Sequence, residues 1–463
     1  MDKYKKLISN TIIFAIGTFS SKMLVFLLLP LFTRVLSPND YGIVDLVVQT
    51  SNLIIPIVSI GISNAIIRFG LDRAVDKRDV FTGGITVVGI GYLLFLLLRP
   101  LLTNIPIIHD HAHLIYLYVL TSCLRSLCSQ FVRSRELVKL YAFDGVMSTF
   151  MVISFNFLLL VGFKLGITGY LLATILSDLS SAVFLFFFAG LHRYVRFKGI
   201  NWSVLRSMLG YAVPLIPATI FWWITNVSGR YLVTYMIGTQ ANGLYAIAYK
   251  IPTMIILVSG IFTDAWQMSA ITESGPGRNQ FFSNVFAAYQ AIIFTAASGL
   301  ILFSKMITRI LVSDAFYSSW QYIPFLVLAT VFSCFVTFLG SIYMVEKKSI
   351  ATLLTTVLGA VVNIILNLLL IPKFGINGAA FATFISYLVV FVVRVIDTRR
   401  FVKIRWKAPT LLVNLTILLV QSWILITFTE NWILPEALLC ALMIGVNFKL
   451  LLMNVQKVLF RRR

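Results

Sequence analysis

Four cations stand inside long apolar runs of this chain: Lys22, Arg125, Arg230 and Lys250. A charge at the centre of a membrane helix costs about 2.5–3.5 kcal/mol on the insertion scale, so it usually faces protein or a wet cavity. Lys250 lies nearer the end of its run, where snorkelling competes with a cavity role, and Lys449 reads as a snorkelling residue. Few anions oppose these cations. Asp178 is the clearest buried acid, open either to pairing with Arg125 or to titration, while Asp45 and Asp264 sit towards run ends. A lumen with surplus positive charge suits an anionic substrate, and guanidinium is the favoured partner of phosphate oxygens.

Helical spacing gathers polar residues around these positions. Thr11, Thr18 and Lys22 share one face, as do Tyr118, Ser122, Arg125 and Ser129. Asp45, Gln49, Asn52, Pro56, Ser59 and Ser63 follow at alternating steps of four and three. Pro214 and Pro217 precede Thr219, Asn226 and Arg230; Tyr245 and Tyr249 precede Lys250; Thr352, Thr356 and Gly359 precede Asn363 and Asn367. Single Ser and Thr residues on membrane helices are most often packing residues. The candidate substrate-binding set is therefore Lys22, Arg125, Arg230, Lys250, Asn52, Asn226 and Asn363. Asp178 is the candidate for coupling to H+ or Na+, and no other cofactor is expected.

Other chemistries find little support. His109-Asp-His-Ala-His113 reads as a solvated loop, since no confirming ligand cluster stands elsewhere. Cys123, Cys128, Cys334 and Cys440 fall in apolar runs without metal or redox spacing and read as reduced packing residues. No Walker, nucleophile-elbow or zincin motif is present. An enzyme is not expected.

The elements that must carry these residues follow from composition. Of 463 residues 59% are hydrophobic and 12% charged, and mean hydropathy is +0.93. A soluble domain carries about 25% charge, and a disordered chain lacks this much Leu, Ile, Val and Phe. Continuous apolar runs of about 20 residues argue against a β-barrel and for an all-α polytopic membrane protein. Fourteen spans are predicted, over 11–33, 43–67, 81–98, 113–133, 143–163, 169–190, 209–237, 243–268, 281–303, 320–343, 350–371, 377–396, 409–428 and 436–455. The first follows Lys3 to Lys6 but is longer than a signal h-region and reads as a retained span.

Lysine and arginine set the orientation. With the N-terminus inside, inner segments hold 27 cations and outer segments 6, with five more within spans. Both termini are thus expected in the cytoplasm. The pattern is weakest near span 9, where the inner loop has only Arg278 while Lys305 and Arg309 lie outside. This distribution accounts for the net charge of +21 without nucleic acid.

An internal repeat sets the division of the chain. Lys164-Leu-Gly-Ile-Thr-Gly169 recurs as Lys373-Phe-Gly-Ile-Asn-Gly378, and the match continues through Ala173/Ala382, Thr174/Thr383 and Ser177/Ser386. A weaker pair joins Leu36–Gly42 to Ile237–Gly243. The repeat unit is six spans, so two six-helix lobes are expected, related by a pseudo-two-fold along the membrane normal. The expected division is 1–198 for spans 1–6, 199–400 for spans 7–12, and 401–463 for spans 13–14 with a basic tail.

Ser20-Ser-Lys22-Met-Leu-Val-Phe and Leu29-Pro-Leu-Phe-Thr-Arg34-Val-Leu-Ser-Pro-Asn-Asp-Tyr-Gly42 resemble the opening of bacterial polysaccharide exporters of the Wzx type. These are flippases for lipid-linked oligosaccharides, in the superfamily that includes multidrug extruders and lipid II flippases. Pro214 to Arg230, Gly243-Leu-Tyr-Ala-Ile-Ala-Tyr-Lys250 and Lys373 to Thr383 extend the likeness over about the first 400 residues. The resemblance implies a MATE-like fold, a central cavity open to one side at a time, and a polyprenyl phosphate or pyrophosphate substrate. It implies residence in the bacterial cytoplasmic membrane among lipids, beside a polysaccharide polymerase and glycosyltransferases. The family often has Asp before the span 7 Arg, where this chain has Gly229, so an acid–base role there is not carried over. The alternatives are a lipid II flippase and a cation-coupled drug extruder. A membrane glycosyl transferase would need a loop with catalytic acids that is not visible.

Overall fold

The computed structural model describes residues 26, 28–98, 100, 109–196, 199–272, 277–346, 348–428 and 430–460. Lys22 and the first part of span 1 lie outside the described residues, as do the side chains of Asp264 and Lys449. The described elements are helical. The chain divides into two compact units, Met1–Trp223 and Ile224–Arg463.

The first unit holds α1 (Pro38–Val58), α2 (Ile62–Leu71), α3 (Lys77–Leu97), α4 (Ala112–Ser134), α5 (Val138–Asn156), α6 (Gly166–Phe188) and α7 (Trp202–Ala212). The boundary falls within α8 (Ile216–Met236). The second unit continues with α9 (Thr239–Lys250), α10 (Thr253–Thr272), α11 (Arg278–Leu302), α12 (Ser304–Leu311), α13 (Ile323–Val345), α14 (Ser349–Thr398), α15 (Ala408–Thr427) and α16 (Ile433–Phe460).

Among the described residues eleven helices are long and apolar enough to cross a membrane. One, α14, is two predicted spans joined at Gly375, whose φ of 59° and ψ of −137° interrupt the helix. Residues 433–448 of α16 form a shorter apolar helix. Predicted spans 2 to 14 therefore all fall on helical segments. Large apolar side chains cover the outside, among them Leu97 at 75%, Phe188 at 73% and Leu369 at 59% exposure, a surface that only lipid would accept at this scale.

Local chemistry explains where the helices start and break. Ser37 caps α1, accepting from the Asp40 amide while the Asp40 carboxylate accepts from the Ser37 amide, which satisfies otherwise orphaned donors. Span 2 does not run straight through. Ile60 and Gly61 both take left-handed φ, 49° and 60°, and split it into α1 and α2, an arrangement that costs a β-branched residue strain. Pro252 separates α9 from α10, which breaks span 8. Outside the apolar core, Arg196 reaches Asp76 at 2.7 Å and Asp79 at 2.8 Å, tying the segment after α6 to the start of α3.

The repeat is visible in backbone geometry. Gly166 and Gly375 occupy matching positions and both are left-handed, at φ 55° and 59°. Three residues on, a Cβ on Gly169 would lie 3.1 Å from the Leu159 carbonyl oxygen, and one on Gly378 would lie 2.4 Å from that of Leu370. Each glycine lets its helix pass against the end of the preceding one. The weaker repeat pair also matches, since Ser37 and Gly238 are the residues that precede the first turns of α1 and α9.

The structure corrects one expectation. Arg394, counted among the inner loop cations, is buried within α14 at 4% exposure. It donates to the Val336 carbonyl at 2.8 Å and to Thr355 Oγ1 at 3.1 Å, with the Tyr343 ring beside it. Its neighbours Arg399 and Arg400 lie beyond the helix and are exposed, so proximity in sequence to a basic loop concealed a packed cation.

Candidate functional site

Two polar clusters built on the candidate cations Arg125 and Arg230 stand inside membrane helices, one in each unit. In the first unit α6 presents Ser177, Asp178 and Ser181 to α4 and α5. Arg125 Nη1 on α4 lies 2.7 Å from Asp178 Oδ1, and Ser122 Oγ donates to Asp178 Oδ2 at 2.5 Å. The carboxylate is nearly buried while the guanidinium side chain is 32% exposed. One face of this pair is therefore open and the other is closed.

Asp144 on α5 is as buried as Asp178, and Ser181 Oγ donates to its Oδ1 at 2.5 Å. Sequence reasoning passed over it because it stands at the edge of a predicted span. Its spacing of four from Ser148, which meets Ser177 across the same interface, was the available signal. Asp45 is buried on α1 and accepts from Gln49 Nε2 at 3.4 Å, whereas Asn52 on the same helix is exposed. Nothing places Asn52 with Arg125.

In the second unit α8 supplies Asn226, Ser228 and Arg230. Arg230 is 8% exposed, with its guanidinium carbon 4.7 Å from the centroid of the Tyr249 ring on α9. Tyr249 packs edge-on against Tyr245 at 5.1 Å. Asn363 on the first arm of α14 accepts from Ser228 Oγ and from Asn367 Nδ2, both at 2.8 Å. On the second arm Tyr387 donates its hydroxyl to Asn226 Oδ1 at 2.7 Å, and Thr383 lies 3.5 Å from the Tyr245 hydroxyl and from Asn363 Nδ2.

The structure thus brings Asn226, Asn363 and Arg230 to one junction of α8, α9 and both arms of α14. Lys250, half-buried at the end of α9, stands one residue beyond Tyr249. Gly229 faces into the same junction. A Cβ there would lie 3.4 Å from Asn367 Oδ1 and 3.5 Å from the Tyr245 hydroxyl, so the position has room only for a small group. Thr383 and Tyr387 were missed from sequence because their roles depend on the return of α14 at Gly375.

An arrangement of a buried guanidinium, amides and phenols within lipid-facing helices defines a multi-pass membrane protein with polar sites at membrane depth. The chain belongs to the polysaccharide biosynthesis protein family, whose pattern matches residues 7–266. Solved structures share its fold. The lipid II flippase MurJ in an inward closed conformation is 16% identical, with a TM-score of 0.72 over 97% of this chain and 99% of that one. An inward-facing multidrug resistance MATE family transporter of the MOP superfamily is 13% identical, with a TM-score of 0.65 over 83% and 98%. A MOP superfamily transporter from Pyrococcus furiosus is also 13% identical, with a TM-score of 0.60 over 84% and 94%. No curated protein matches.

Proposed function

We propose that this protein is a flippase that carries a polyprenyl-(pyro)phosphate-linked oligosaccharide from the inner to the outer leaflet of the bacterial cytoplasmic membrane, by alternating access of two six-helix lobes. The observation that carries the reading is Arg230, a guanidinium backed by Tyr249 and held inside membrane helices of a polysaccharide biosynthesis family member. A phosphate cannot cross hydrocarbon unpaired, and fixed cations in a low-dielectric cleft replace its water. In the proposal Arg230 and Lys250, together with Lys22 and Arg125, attract the phosphate, while Asn52, Asn226 and Asn363 meet sugar hydroxyls and the prenyl tail stays in lipid. Asp178 is the proposed coupling residue for H+ or Na+. The proposal has both termini in the cytoplasm, which the asymmetry of lysine and arginine supports. An inside-negative potential then favours outward movement of the anionic head, by about 2.3 kcal/mol per charge per 100 mV if the full field is crossed.

A second reading, lipid II transport, is supported by the near-complete coverage of the MurJ fold. Vesicles containing the purified protein separate the two. Lipid-linked oligosaccharide loaded in the inner leaflet should become accessible to an added sugar-oxidising reagent, and lipid II should not. Transport of lipid II alone would replace the first reading with the second. Transport of neither, with export of cationic drugs, would reject both.

A further inference from the structure

Lys305 and Arg309 are the outer-segment cations that fit the orientation pattern least, and the structure gives them a common setting. Both stand on α12, four residues apart and so one above the other on one helix face. Lys305 Nζ lies 4.2 Å from the ring centroid of Trp320 and 4.5 Å from that of Trp432. These indoles stand just before α13 and α16, and α12 follows the end of α11. Three membrane helices therefore terminate around this point, which places it at the level where lipid meets water.

A cleft of about 640 Å³ opens there, lined by Lys305, Arg309, Tyr317 and the two indoles, with no acidic residue among the described residues of its wall. Met306, Ile310 and Ile433 line it too and are exposed at 57%, 62% and 63%. The buried Glu436, in the first turn of α16, acts on Lys305 from the protein side, while burial lowers the ammonium's pKa. Indole faces hold an ammonium without neutralising it. An ordinary interfacial anchor needs neither two rings on one ammonium nor a cleft beside it.

We propose that this cleft binds the phosphodiester of an anionic glycerophospholipid, with Lys305 and Arg309 flanking the phosphate and the acyl chains lying over Met306, Ile310 and Ile433. Guanidinium and ammonium are the side chains that recognise phosphate oxygens, and indoles prefer headgroup depth. The exposed apolar side chains require an occupant with a hydrocarbon part, which free phosphate lacks. A zwitterionic phospholipid would bring its own ammonium against the two cations, so the site selects for net negative charge. The inference rests on the chain being a membrane protein and is independent of the transport reading.

Native mass spectrometry of the full chain in detergent, titrated with phosphatidylglycerol or phosphatidylcholine of the same acyl chains, tests it. The wild type should prefer phosphatidylglycerol. K305Q/R309Q should lose that preference by on the order of ten-fold. K305R/R309K should keep it, as should K373Q, which removes an exposed cation at a different span end. Should K305Q/R309Q fail to fold, R309Q alone replaces it, because Arg309 is exposed. A folded glutamine variant that keeps the preference, or a K373Q protein that loses it equally, overturns the proposal. Displacement of phosphatidylglycerol by equimolar farnesyl phosphate overturns the assignment of a glycerophospholipid.

Discussion

Arg125 Nη1 and Asp178 Oδ1 are 2.7 Å apart, and the two ends of this ion pair differ in access: the Arg125 side chain is 32% exposed and that of Asp178 is 8%. Asymmetric access makes the two single substitutions unequal. R125A would leave a buried carboxylate with, among the described residues, Ser122 alone to donate to it, and desolvation of that charge is costly. D178N would leave a guanidinium that can still turn towards its open side. R125A should destabilise the protein by about 2–4 kcal/mol, D178N by about 1 kcal/mol, and R125Q/D178N should fall nearer to wild type than R125A does. Thermal unfolding in one detergent measures all three. Equal losses for both single variants would show that the difference in access has no energetic meaning.

The repeat glycines offer a graded series. A Cβ on Gly378 would meet the Leu370 carbonyl oxygen at 2.4 Å, backbone that cannot give way without shifting a helix. At Gly169 the corresponding contact is 3.1 Å, and at Gly299 no atom lies within 4 Å. G378A should therefore destabilise most, by about 1–3 kcal/mol. G169A should cost less. G299A should be neutral or slightly stabilising, because alanine is the better helix former. The order of apparent melting temperatures checks this, and a G378A protein as stable as G299A would contradict the close approach.

Orientation can be read by chemistry. In a background lacking Cys123, Cys128, Cys334 and Cys440, single cysteines replace Lys373 and Ser203, both exposed. The cation asymmetry puts Lys373 outside and Ser203 inside. An impermeant thiol reagent added to intact cells should label K373C and spare S203C until the membrane is opened. Labelling of S203C in intact cells would invert the proposed topology.

Much of the architecture was legible because lipid demands it. Apolar runs long enough to span announce themselves, and spans 2 to 14 fall on helical segments for that reason. The Asn226/Arg230 and Asn363/Asn367 pairs were visible as i, i+4 steps on single helices. Their partners were not. Tyr387 reaches Asn226 across 161 residues of chain, a meeting that depends on how α14 folds back at Gly375. Arg394 shows the opposite failure: it stands at the end of the predicted span 377–396 and was counted with the basic loop that follows, yet its side chain packs inside at 4% exposure. The break at Ile60 was illegible too, since isoleucine carries no expectation of left-handed backbone.

The last prediction concerns Arg230, and it separates charge from shape. Its guanidinium carbon lies 4.7 Å from the centroid of the Tyr249 ring, a contact worth about 0.5–2 kcal/mol. If the residue serves only as a packed cation, R230K should fold and transport nearly normally, because lysine can also sit on an aromatic face. If it recognises phosphate oxygens, its planar donors matter and lysine is a poorer substitute. The proposed function predicts that R230A abolishes glycan export at matched expression and that R230K retains a reduced fraction. Y249F should be close to wild type, because the ring remains. Y249L should weaken transport by removing the support that orients the guanidinium, while leaving the charge in place. Flipping of lipid-linked oligosaccharide in vesicles, with protein content equalised, reads all four variants. Normal flipping by R230A would remove Arg230 from the transport path.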